Sequence, residues 1–187
     1  MRKFFVTLSL LGIVVFAQAA DEQTEGSVVY SASIGVATGK LKTFLNGGDN
    51  TPENTAGWSS EPLVRIGAHL DFSGIHHWGV VAQYNELNND NLFVLRPLDY
   101  AYNFAEQWRV KAFWGIARYD LATPAYGYYL GGGLEWLYDD FGISIEGAYG
   151  DKVARDALLP GDPQLPEGTQ EIFFDIYSIN TSLNYYF

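Results

Sequence analysis

The residues of this chain best suited to proton transfer or metal binding are its three histidines, His69 and the adjacent pair His76-His77. A hydrolase built on them would need a Ser or Asp partner close by. No His-x-Ser stretch and no G-x-S-x-G nucleophile elbow occurs. His69 lies inside an alternating apolar segment and reads as a hydrogen-bonded interior residue, while His76-His77 fall at a turn. Gly131-Gly132-Gly133 has the composition of a phosphate cradle, yet it sits mid-strand, where glycine marks close packing or a bend. Asp49 and Asp162 lack the spacing of a calcium loop and read as solvated acids. The expectation is a protein that is not an enzyme and that carries no metal and no cofactor.

The elements that position these residues are strands. Alternation of period two, which sends successive side chains to opposite faces, recurs in eight segments. The first, 27–37, puts Val28, Tyr30, Ala32, Ile34 and Val36 on one face. The second, 62–72, sets Val64, Ile66, Ala68, Leu70 and Phe72 against Arg65, Gly67, His69 and Asp71. Others begin near Trp78, Leu92, Trp108, Ala125, Phe141 and Ile172. The fourth, 92–104, changes phase at Arg96-Pro97, and a proline that cannot donate to the ladder predicts a bulge there. The last ends with Ile179, Thr181, Leu183, Tyr185 and Phe187 on one face and Asn180, Ser182, Asn184 and Tyr186 on the other. Tight turns are predicted at 73–74, 105–107 and 139–140, and larger loops at 38–61, 88–91, 118–124 and 151–170. Tilted strands of about ten residues are long enough to cross a bilayer's hydrocarbon. An even count returns both termini to the side of the tight turns.

Arg2 and Lys3 precede the apolar run Phe4 to Phe16 and the small-x-small sequence Ala17-Gln18-Ala19. This predicts a secretory signal over 1–19, cleaved after Ala19 or Ala20, and a single domain over 20–187. The run is short of the roughly 20 residues of a spanning helix, so a membrane location requires a closed barrel, in which every backbone group is paired. There are no cysteines, and a closed sheet can do without disulfides. Once Arg2 and Lys3 are removed, nine basic residues face 22 acidic ones, which argues against nucleic acid as a partner.

Those nine basic residues decide which face meets lipid. Arg65, Arg96, Arg109 and Lys111 fall on polar faces, and Lys40, Lys42, Arg118, Lys152 and Arg155 at strand ends or in loops. None interrupts an apolar face, as expected if that face is in lipid, where a midplane Lys or Arg costs about 2–4 kcal/mol. The alternative, a soluble lipocalin-type barrel, would have to enclose nearly all the Trp and Tyr and expose its serines and glycines. An eight-stranded lumen is filled by side chains, and charges within it need partners. One cluster is expected from Asp99, Arg109, Lys111 and Glu135, and another, nearer the loop end, from Arg65 or Arg96 with Glu146 and Asp175. A plug that shuts the barrel is the favoured reading of these residues; a gated or proton-linked path is the other. Lys40, Lys42, Arg118, Lys152 and Arg155 would ring the outer mouth. There they either bind lipopolysaccharide phosphates or pair locally with Asp120, Asp151 and Asp156.

With its export signal, alternating strands and terminal Phe187, the chain resembles the small eight-stranded bacterial outer-membrane β-barrels, such as the OmpA membrane domain and OmpX. The resemblance implies an all-β, antiparallel up-and-down transmembrane barrel of Gram-negative bacteria with both termini in the periplasm. It implies a cofactor-free monomer in contact with outer-membrane lipid and lipopolysaccharide. The terminal strand, with Ile179, Thr181, Leu183, Tyr185 and Phe187, would be read by the barrel assembly machinery. No periplasmic domain is expected after the barrel, which puts peptidoglycan anchoring in doubt. A structural or surface-interaction role is implied, with a narrow solute channel or a lipid A-modifying enzyme as alternatives.

Overall fold

The computed structural model describes residues 26–45, 57–120, 126–156 and 172–187. Within them lie eight strands: β1 (Gly26–Leu45), β2 (Ser59–Phe72), β3 (His76–Leu87), β4 (Asp90–Ala105), β5 (Trp108–Tyr119), β6 (Gly127–Tyr138), β7 (Phe141–Asp156) and β8 (Ile172–Tyr186). Each pairs antiparallel with its sequence neighbours, and β1 pairs with β8 to close the barrel. The predicted signal over 1–19 lies outside the described residues.

Alternation sets the wall. Ile34, Ile66, Leu134, Ile145 and Ile179 are exposed on the outer surface, as are all five tryptophans. Arg65, Gln83, Asp99, Glu135, Glu146, Asn180 and Asn184 are buried inside. Burial is thus inverted relative to a protein folded in water, where buried Asp, Glu and Arg are rare and large apolar surfaces are hidden. This is the distribution expected of a wall whose outer face meets hydrocarbon.

The bulge lies where the phase changes. Leu95 faces Ile116 and Leu98 faces Trp114, so Arg96 and Pro97 together oppose Gly115 alone. The extra residue resets the parity of β4, and both Arg96 and Asp99 are buried in the lumen. The terminal residue extends the closing seam by one pair. Tyr30 N–H donates to Phe187 O (2.9 Å), Phe187 N–H donates back to Tyr30 O (3.0 Å), and the two rings stack.

Three expectations are corrected at the end of the barrel opposite the tight turns. The segment 88–91 is no larger loop. Asn88 and Asn89 form a two-residue turn with φ of 51° and 71°, a left-handed pair that asparagine tolerates and that matches the twist of a hairpin. Arg118 belongs to β5 rather than to a loop. Finally, β1 and β7 continue well beyond Ala37 and Tyr149, because β8 supplies backbone partners from Ile172 onward. Together β7, β8 and β1 extend this side of the barrel.

Candidate functional site

The lumen holds one ionic network centred on Glu146. Its carboxylate lies 2.9 Å from Arg65 Nη2, 3.1 Å from Arg96 Nη1 and 3.2 Å from Lys111 Nζ. Arg96 also reaches Asp99 (3.5 Å), whose other oxygen lies 3.1 Å from His69 Nε2. Gln83 accepts hydrogen bonds from both Arg65 and Arg96. Towards the tight turns, Arg109 is 3.5 Å from Glu135, which also accepts from Tyr186 (2.6 Å) and from Asn184. The two clusters expected from sequence are therefore divided differently. Lys111 joins Glu146 because the register runs Lys111–Gly133–Glu146 across β5, β6 and β7. With no side chain at Gly133, the lysine can cross the intervening strand. Arg109 stands directly opposite Glu135 and takes it.

Asp175 is the clearest correction. It shares the parity of the exposed Tyr177 and Ile179, so it lies on the outer side of the wall, buried there among its neighbours and away from the lumen. There it accepts from Tyr149 OH (2.9 Å) and from the backbone N–H of Lys152 (3.0 Å). Lys152 has a φ of 53°, and three β7 residues, 151–153, bulge opposite this one carboxylate.

Above the network, away from the tight turns, the lumen becomes apolar. Phe113, Tyr129, Val94, Leu92, Tyr119 and Ile176 belong to a buried cluster that fills the interior. Phe113 stacks on Tyr129, with centroids 5.8 Å apart, and carries the Arg96 guanidinium 3.6 Å from its own ring centre. Gly131 makes this possible, since a Cβ there would meet the Phe113 ring at 2.5 Å. The glycine run thus seats an aromatic side chain rather than a phosphate. Below the network, a polar cavity of about 160 Å³ leads to the tight-turn end, bordered by His77, Arg109, Asp139, Asp140 and Tyr186. The lumen is a blind vestibule under an apolar plug.

The outer end carries a second arrangement. Lys40 Nζ lies over the Trp58 ring (5.5 Å) and the Tyr177 ring (5.9 Å), and Lys152 Nζ over Phe173 (5.3 Å). Lys42 is exposed, and its Cα partner across β8 is Asp175. Arg118 pairs with Asp120 at 2.8 Å. The side chain of Arg155 lies outside the described residues, as do Asp49 and Asp162. At the opposite end, His76 Nδ1 is 2.8 Å from Tyr100 OH, and His77 contacts Arg109 and Asn103. Among the described residues no group of three potential ligands is placed to hold a metal.

No family model and no curated protein matches the chain. Solved structures do. Neisserial surface protein A superposes with a TM-score of 0.50 at 12% identity, covering 85% of this chain and 98% of its own. Ail, the attachment invasion locus protein of Yersinia pestis, crystallised with the heparin analogue sucrose octasulfate, superposes at 0.50 and 13% identity, covering 88% and 100%. At such identities the likeness is one of architecture, and it agrees with the inverted burial and the closed register: the chain has the fold of the small eight-stranded outer-membrane β-barrels.

Proposed function

We propose that the protein is an integral outer-membrane barrel with a structural or surface-interaction role, exported by its N-terminal signal and inserted with both termini in the periplasm. The observation that carries this reading is the lumen. Ion pairs fill its middle and an apolar plug its outer end, so the barrel serves through its surfaces rather than as an open pore. The β7–β8–β1 side bears Lys40, Lys42 and Lys152 among Trp58, Tyr177 and Phe173; with the tight turns in the periplasm, this end would meet the outer leaflet, whose lipopolysaccharide carries phosphates. Ammonium groups above aromatic rings, next to an aromatic belt, suit binding of a phosphorylated lipid. The sulfated ligand held by Ail is a polyanion bound on the same fold. Arg118 contributes less to this reading, because Asp120 already occupies it. The alternating β8 face from Ile179 to Phe187 supports recognition by the barrel assembly machinery.

The test is reconstitution into bilayers with lipopolysaccharide in one leaflet. The wild type should give no steady ion conductance and should cross-link to lipopolysaccharide. Reversing charge at Lys40, Lys42 and Lys152 together should reduce that cross-linking several-fold. Unchanged cross-linking would remove the lipid-binding reading, and a stable open-channel current would remove the closed-lumen reading.

A further inference from the structure

We propose that the blind vestibule at the tight-turn end binds a small zwitterion of amino-acid size, with its carboxylate innermost. The cavity is about 160 Å³. An apolar void of roughly 150 Å³ accepts benzene, a molecule of six heavy atoms, so glycine or alanine would fit in this one.

Charge is unevenly distributed along its length. Through the lumen Arg65, Arg96, Arg109 and Lys111 meet Asp99, Glu135 and Glu146, which leaves one formal positive charge in excess. Lys111 has three donors and one ion-pair partner, Glu146 Oε1, and its side chain is 10% exposed beside the cavity. Buried charge is costly until compensated, so a carboxylate is the group the closed end lacks. At the open end the sign reverses. Arg109 is matched by Glu135, and Asp139 and Asp140 stand exposed on the rim, with Asp71 beside His77. A simple anion would meet repulsion on entering and a simple cation would meet it at depth. A molecule carrying both charges is oriented by the same gradient. This proposal is independent of the lipid-binding reading of the outer end.

The experiment is an NMR titration of the refolded, isotope-labelled protein in micelles with glycine, acetate and methylammonium in turn. Glycine should give saturable shifts at vestibule residues, with a Kd at least tenfold below those of the other two. Lys111→Met should abolish saturation. Asp139→Asn with Asp140→Asn, both in an exposed turn, should bring glycine down to the level of acetate. If Lys111→Met does not fold, as judged by loss of the heat-modifiable gel band, the turn variant decides alone. Acetate binding as tightly as glycine, no saturable shift with any of the three, or glycine binding unmoved by the turn variant would each overturn the proposal.

Discussion

Glu146→Gln is the substitution to which the lumen should respond most strongly. The wild-type carboxylate is fully buried and is shared by Arg65, Arg96 and Lys111 at 2.9, 3.1 and 3.2 Å. Its loss leaves Arg65, Arg96, Arg109 and Lys111 facing Asp99 and Glu135, so the formal positive excess of the lumen rises from one charge to two. Removing one member of a buried ion pair costs about 3–5 kcal/mol, and a carboxylate serving three cations belongs at the upper end of that range. Adding Lys111→Met to Glu146→Gln restores an excess of one. The double variant should therefore be more stable than Glu146→Gln by about 1–3 kcal/mol, the usual size of a coupling within one network. The assay is urea unfolding in lipid vesicles, followed by tryptophan fluorescence and by heat-modifiable migration. The order expected is wild type, then the double variant, then Glu146→Gln. A Glu146→Gln barrel within about 1 kcal/mol of wild type, or a double variant less stable than the single, would refute the reasoning by showing that solvent screens these charges.

Ile66→Arg tests the inversion of the wall. Ile66 is 68% exposed, and an arginine there should cost about 2–4 kcal/mol in vesicles, whereas on a water-facing wall it would change stability negligibly. Phe113→Ala should cost about 3–5 kcal/mol by urea titration, because it removes both the ring under Arg96 and the stack on Tyr129. Asn89→Ala should cost about 1–2 kcal/mol in the same titration and Asn89→Gly almost nothing, since the position requires a left-handed backbone.

The wall was legible in the sequence because lipid exposure imposes a strict period of two, and the Arg96-Pro97 bulge because a proline and a phase change coincided. The ion-pair partners were not, because they depend on register. Lys111 could be placed on the inner face, but only the alignment of β5, β6 and β7 shows that Gly133 separates it from Glu146. Asp175 could have been placed by strict counting, since it differs from Tyr177 by two residues; its charge suggested the lumen, and parity shows otherwise. The apolar plug also left a trace. Leu92, Phe93, Val94 and Leu95 are apolar at both parities, which means that the inner face of β4 is apolar there as well. The length of β1 escaped because its extension, Thr38 to Leu45, is held by backbone bonds to β8 rather than by its own pattern.

The seam between β1 and β8 brings Ser31 opposite Tyr186, residues from nearly opposite ends of the described chain. No local hairpin can form that pairing, so the cylinder cannot shut until all eight strands are present. Contacts so distant along the chain are slow to make. Until they form, two sticky ribbons with unsatisfied amides would be open to neighbouring molecules. The contact that completes the barrel is the joining of its two outermost strands.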